Sequence, residues 1–453
     1  MTWIYGFNRE ALLLLITLIA VSGLVLLVAW FKVNSFVAMI LAALFAGLCA
    51  GVPLHLVVKS FSDGVGSVLG SIAVVIGLGT MIGKLLSESG GAEVVARTLI
   101  NLLGEKWTPW TMLATALLVG IPVFFGVGVV LLMPIVITVA RETKRPLLSL
   151  GIPLLAGLST VHGLVPPHPG PMIAIELLHA DVGLVIIYSL MIGVPAAVLA
   201  GPVLTPFLLR HVVANAGAGA LAADSRQTHH NPPSFLLALM TILLPVLLML
   251  AATLADVVLV QASPAREWAD FVGSPVVALL VALLFSFWSF GFARGFNRGH
   301  LLKFCDGCLG PVAGMLLVIG AGGGLNKVLV TAGVGGAIGA MTGLLHLSPL
   351  VLGWLVAALI RVATGSATVA ISTAAGILAP MTLTSPGIHR EWLVLAMGSG
   401  SLVLSHVNDG GFWFVKEYLH LTVPETLRTW TVMSCVLSVL GLIGTLVFNK
   451  LIG

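Results

Sequence analysis

The chain has 453 residues, of which 58% are hydrophobic and 8% charged, with a net charge of +4 and a mean hydropathy of +1.13. Soluble globular chains carry about 25% charged residues, so this chain cannot clothe a water-facing surface and reads as a multispanning membrane protein. The modest positive charge suits loops that orient such a protein and gives no nucleic-acid surface.

Apolar runs recur from end to end, at 11–31, 36–52, 111–140, 183–209, 234–260, 272–291, 391–404 and 429–449. Several reach the roughly 20 residues that cross a hydrocarbon core as a helix. The first run is longer than a signal-peptide core, and Arg9 and Glu10 before it give no positive leader, so it reads as a retained span. Cys305 and Cys308 form a C-x-x-C inside an apolar segment with no second such pair. They read as small packing residues rather than a redox or metal motif.

The next stretch, "FSDGVGSVLGSIAVVIGLGTMIGK", Phe61 to Lys84, is apolar yet carries Asp63, six glycines and a terminal lysine. It returns later in the chain. Phe61–Gly90 and Phe304–Gly333 align without a gap at ten of thirty positions, 243 residues apart. Asp63 meets Asp306, Lys84 meets Lys327, and four glycines stay in register. His162 and His406 lie 244 apart, and the run 183–209 stands about 243 before 429–449. The sequence therefore predicts two repeats, 1–209 and 234–453, joined by a polar linker at 210–233.

Loop charges give the orientation. The loop 292–303 holds Arg294, Arg298 and Lys303, while its counterpart 53–60 holds only Lys59. "RETKR", 141–145, has three basic residues and its counterpart 384–390 has one. Each basic loop has a weakly basic repeat mate, as inverted topology predicts. The linker then falls in the cytoplasm and both termini outside. The expected fold is an all-α polytopic membrane protein of two inverted-topology repeats, with broken helices and re-entrant hairpins and roughly 10–14 membrane segments.

Glycine costs about 1 kcal/mol against alanine inside a helix, and proline about 3. In lipid, irregular backbone is tolerated only inside protein or beside a water-filled cavity. Four places in each half carry this irregularity: the Asp-Gly stretches, "SGG" at 89–91 with "AGVGG" at 332–336, "IPVFFGVGVV" at 121–130 with "RVATGSATVAIST" at 361–373, and "STVHGLVPPHPGP" at 159–171 with "SHVNDGGFW" at 405–413. Broken helices leave N-terminal N–H groups that attract anions. The side chains nearest the breaks are hydroxyls, amides and imidazoles, which suit a ligand with a carboxylate and several hydroxyls.

The candidate substrate contacts are Ser159, His162, His168, Ser366, Thr368, Ser405, His406, Asn408 and Asp409, with Ser372 and Thr373 alongside. His162 and His406 are candidate proton carriers, because unperturbed histidine titrates near neutral pH. Asp409 is a third, or an N-cap for the segment after it. Asp63 and Asp306 read as caps at the starts of membrane segments. Lys84 and Lys327 read as snorkelling or gating charges, each facing its mate across a pseudo-twofold axis. Arg361 reads as an interfacial or structural charge at the start of a span, close enough to "GSATVA" to be a counter-ion. No metal cluster, nucleophile–base pair or phosphate loop emerges, so no metal, cofactor or catalytic residue is expected. "GAGGG" at 320–324 follows no strand and is not a dinucleotide fingerprint.

At "STVHGLVPPHPGP", "VIGAGGGLNKVLVTAGVG", "GSATVA" and "SHVNDGGFWFVKEYLHLTVPETLRTW" the chain resembles the gluconate permease family of the ion-transporter superfamily, from about residue 10 onward. The resemblance implies secondary active, proton-coupled uptake of gluconate or a related sugar acid across the bacterial cytoplasmic membrane. It also implies a homodimer working by an elevator-like movement. A D-serine or other hydroxy-acid permease is the alternative, with an anion channel or a membrane enzyme from other classes. One position departs from the family pattern. Where "FFEVGF" would carry an acidic residue, this chain has Gly126, which cannot take a proton.

Overall fold

The computed structural model describes residues 9–210, 231–260, 263–334, 337, 348–384, 389–406 and 409–452. Residues 211–230 of the 210–233 linker, part of the 332–336 motif, and Asn408 lie outside the described residues. Among those described, the structure is helical and has no strand. Within the described residues, eight helices are long and apolar enough to cross a membrane, and four shorter apolar helices accompany them.

The element order repeats. Thr108–Gly120 and Pro349–Thr364, Phe125–Glu142 and Ala367–Thr384, Leu147–Leu164 and Arg390–Gly400, and Pro169–Leu178 and Gly410–Tyr418 form matching pairs whose first residues lie 241–243 apart. Proline or glycine marks where several of these helices stop, at Gly120, Gly365, Gly400 and Pro166, whereas Pro169–Leu178 ends at His179 and Gly410–Tyr418 at Leu419. Gly365 ends one of them with a left-handed φ of 72°, which costs glycine little.

The glycine-rich stretch is not broken. Leu54–Glu88 runs as one helix of 35 residues, roughly 52 Å long at 1.5 Å per residue. Asp63 lies well inside it and Asp306 lies inside Arg298–Leu309. Both side chains are exposed, so neither caps a helix start. The glycines let two backbones touch instead. A Cβ on Gly64 would stand 2.3 Å from the Gly323 carbonyl oxygen, and one on Gly323 would stand 2.5 Å from the Gly64 oxygen. Helix Leu54–Glu88 therefore crosses Ala313–Ala332 at the small-residue spacing that membrane helices use.

The same crossing separates the two lysines. The Lys327 β-carbon lies 2.7 Å from where a Gly64 Cβ would sit. Lys84 is about twenty residues farther along that helix, roughly 30 Å away, and pairs with Glu88 at 2.6 Å. The lysines do not face one another.

The innermost element is Leu147–Leu164 with its continuation to Leu178. In its apolar window 94% of positions are buried, against 25% in Leu54–Glu88. A helix that composition alone would put in contact with lipid is thus wrapped by others. Its end meets the matching helix of the second half: a Gly398 Cβ would stand 2.5 Å from the Gly163 oxygen, and a Gly163 Cβ 2.7 Å from Leu402.

Candidate functional site

Four chain interruptions converge. Two are joints, at 121–124 and 365–366, and two are breaks, at 165–168 and, among the described residues, 401–406 and 409. Each is followed directly by a helix, beginning at Phe125, Ala367, Pro169 and Gly410. The first break contains consecutive prolines, 166 and 167, which supply no N–H for an intact helix. The second contains Leu404 with a left-handed φ of 45°, a conformation that costs a branched residue about 1 kcal/mol or more and clusters at functional sites.

In each half a histidine ties a break to the preceding joint. His168 Nε2 bonds the Gly120 carbonyl at 2.8 Å, and His406 Nε2 bonds the Val362 carbonyl at 2.9 Å. A carbonyl only accepts, so Nε2 carries the proton in both. His168 Nδ1 is left buried with no described partner. His162, one turn before the first break, packs edge-on against His168 with ring centroids 5.3 Å apart. Its Nδ1 is also buried and unpartnered. Sequence register pairs His162 with His406, but by hydrogen bonding His168 is the counterpart of His406.

The second half adds a buried ion pair. Arg361 is 6% exposed and Asp409 9%, and the guanidinium donates to the Asp409 carboxylate and to the Gly365 carbonyl. Arg361 lies in the last turn of Pro349–Thr364. It therefore ends a helix and is buried, where the sequence reading put it at the interfacial start of a span. Asp409 is the N-cap of Gly410–Tyr418 and accepts from the Gly411 N–H at 2.8 Å. The Ser405 hydroxyl also donates to it. Trp430 Nε1 donates to Ser405 Oγ at 2.7 Å, and Thr431 donates to the Ser405 carbonyl.

Phe125 joins the two clusters. Its ring lies 6.2 Å from His162 and 5.5 Å from Trp430. A Cβ on Gly411 would reach it at 3.1 Å, and one on Gly126 would stand 3.4 Å from Phe414. Gly170, just past the first break, sits against Ile371 of Ala367–Thr384.

This arrangement suits a polyhydroxylated anion. Four helix N-termini start at the junction, each with a positive partial charge. Neither Phe124 nor His168 caps its helix with a side chain; the first-turn N–H groups of Phe125, Gly126 and Val127 have no intrahelical acceptor and suit an anion, whereas Pro169 and Pro171 leave only Gly170 to offer one at the other end. At the third end, Ser366 Oγ accepts from the Val369 N–H at 3.3 Å. Ser159 Oγ and Thr373 Oγ1 are buried without a described partner, as are Arg361 Nε and Asn326 Oδ1. Thr368 is half-buried in the first turn after the second joint, and Ser372 is buried one turn on.

The structure thus gathers Ser366, Ser405, His406, Asp409 and Arg361 at the second joint and break, and His162 and His168 at the first break, with Ser159 buried six residues before that break in Leu147–Leu164. Asp63, Asp306 and Lys327 stand exposed on helix exteriors and make no part of it. Sequence reading missed Phe125, Trp430 and Asn326. Trp430 closes the longest motif quoted above. Asn326 is an amide in an otherwise apolar glycine-rich run, with its Cβ 3.6 Å from where a Gly376 Cβ would sit.

Residues 12–451 match the family described as GntP family permease. The gluconate permease of Pseudomonas aeruginosa is 48% identical over 450 residues, covering 98% of this chain and 99% of that one. The gluconate permease of Zymomonas mobilis is 49% identical over 442 residues, covering 97% and 98%. The Gnt-II system L-idonate transporter of Escherichia coli is 38% identical, covering 97% and 99%. Among solved structures, the Alcanivorax borkumensis YdaH transporter superposes with a TM-score of 0.67 at 18% identity, over 95% of this chain and 98% of that one. At that identity the likeness is one of fold.

Proposed function

The chain belongs to the GntP family of permeases and is a multi-pass membrane transporter, not an enzyme; from that premise we propose that it takes up gluconate, or a sugar acid differing from it only in hydroxyl configuration, together with protons. The observation that carries this reading is the buried Arg361–Asp409 pair among four helix N-termini. Burying two charges costs several kcal/mol per ion before their attraction repays it. The pair gives a carboxylate ligand a guanidinium to compete for, and gives a proton a carboxylate to neutralise.

In this reading, protonation of Asp409 releases Arg361 to the substrate carboxylate, as a bidentate contact that the guanidinium fork favours. Ser159, Ser366, Thr368, Thr373 and Asn326 supply hydroxyl and amide partners for the polyol chain, and His162 and His168 offer Nδ1 atoms. Asp409 takes the coupling role because Gly126 stands where the family pattern expects a carboxylate. A centre closed by an ion pair fits alternating access better than a continuously open pore.

The inverted orientation of 1–209 and 234–453 belongs to the same proposal, supported by the loop charges and by the helices recurring at 241–243 residues. So do a cytoplasmic linker at 210–233, re-entrant hairpins, elevator-like movement in the bacterial inner membrane, and a homodimer. Gluconate is preferred to L-idonate because the relatives near 48% identity carry its name.

The test is thermal unfolding of purified protein against gluconate, L-idonate, D-serine and acetate at two pH values. A ligand at 100 times its Kd stabilises the native state by about 2.7 kcal/mol. Gluconate should raise the unfolding temperature, more so at the lower pH. Stabilisation by D-serine and none by either sugar acid would replace the substrate class.

A further inference from the structure

Beside the central junction lies a separate cavity of about 540 Å³, within the range of small-molecule sites. Helices Leu54–Glu88, Gly91–Leu103 and Phe125–Glu142 wall it, and the first joint, 122–124, closes one side. Two cations line it. Lys84 is held by Glu88 at 2.6 Å, and Arg97 gives Glu93 only its Nε, at 2.8 Å. Both are i,i+4 pairs with side chains at least 32% exposed, and such pairs are weak enough for another anion to displace the carboxylate. The terminal NH2 groups of Arg97, the fork that matches a carboxylate, bond no described residue. Phe124 lines the cavity and also packs edge-on against His168 at 6.3 Å. It is therefore the partition between this cavity and the first break.

We propose that this cavity is the vestibule for the anionic substrate, a weak carboxylate site where Lys84 and Arg97 gather a sugar acid before it passes Phe124 to the centre. The proposal rests on the functional reading above and extends it to residues outside the central site. It gives Lys84 a role that its supposed facing mate, Lys327, does not share.

The experiment is the kinetics of labelled gluconate uptake into proteoliposomes. Lys84→Gln should raise KM about fivefold, the scale of one partly screened charge, with kcat unchanged. Glu88→Gln should lower KM, because it frees Lys84. If the pair served only the fold, the two substitutions would act alike on amount and stability and leave KM alone. KM of the unaltered protein should rise with ionic strength, and less so in Lys84→Gln, since salt screens exposed charges. Cys308 lines the same cavity, so gluconate should slow its modification by a charged methanethiosulfonate, read peptide by peptide in the unaltered protein. KM shifts of the same sign in both variants, or Cys308 labelling indifferent to gluconate, would overturn the vestibule. So would an unchanged KM with activity that follows the phosphatidylglycerol content of the vesicles, which would make a lipid the occupant. Absence of sugar-acid uptake by the unaltered protein would instead remove the functional reading beneath it.

Discussion

Asp409→Asn should bind gluconate with an affinity that no longer follows pH, and should equilibrate it across a membrane without concentrating it. The asparagine keeps the cap to the Gly411 N–H and an acceptor for Ser405, so the geometry of the second break survives. It removes the one charge that, among the described residues, pairs with the Arg361 guanidinium. A buried charge stripped of its partner costs about 3–5 kcal/mol. The ligand-free variant should therefore unfold well below the unaltered protein, and gluconate, supplying the missing carboxylate, should recover more of that loss than it adds to the unaltered protein. Arg361→Met combined with Asp409→Leu should fold better than either single change, since apolar replacement of a whole buried pair is often neutral or stabilising, yet bind nothing. Thermal unfolding with and without gluconate at two pH values, beside a counterflow assay, checks each part. An Asp409→Asn protein that still concentrates gluconate on a proton gradient would move the coupling group elsewhere.

Gly64→Ala should lower stability by about 1–3 kcal/mol, the cost of overpacking a tight contact, while Gly79→Ala on the same helix should be neutral or slightly stabilising. The two glycines belong to one motif and differ only in what faces them. The Gly64 Cβ would meet backbone, the Gly323 oxygen at 2.3 Å, which no rotamer change relieves. The Gly79 Cβ meets nothing within 4 Å, so alanine there gains helix propensity of about 1 kcal/mol at most. Thermal unfolding in detergent separates them. Equal effects at both positions would mean that the helices do not cross at Gly64.

These two cases mark what could be read from the residues alone. The spacing was legible because Asp, Lys and glycine recur in register 243 residues apart, and the helices after the two joints begin 242 residues apart, at Phe125 and Ala367. The breaks were legible because consecutive prolines interrupt the helical hydrogen bonds and because Asp409 favours the N-cap of a new helix, which starts at Gly410. The continuity of Leu54–Glu88 was not, because its glycines are tolerated through a crossing partner hundreds of residues away. Nor was the depth of Arg361. A lone arginine in an apolar helix reads as a membrane-edge charge until Asp409, 48 residues on, is seen to cover it. The histidine assignment failed for a related reason: alignment counts positions, whereas the bonds to Gly120 and Val362 depend on where each break leaves its ring. Phe125 and Trp430 carry no chemical signal in sequence: Phe125 matters by packing between two polar clusters, and Trp430 by its contact with that ring and its bond to Ser405.

In the proposed mechanism a proton and a carboxylate meet at one buried pair, Arg361 and Asp409. The most direct measurement is uptake of labelled gluconate into proteoliposomes, with the external medium made acidic or held at the internal pH. Accumulation above the external concentration only when the outside is acidic, abolished by a protonophore and competed by L-idonate, is the predicted result. Accumulation indifferent to the pH gradient, or uptake that gluconate does not compete for, would contradict it.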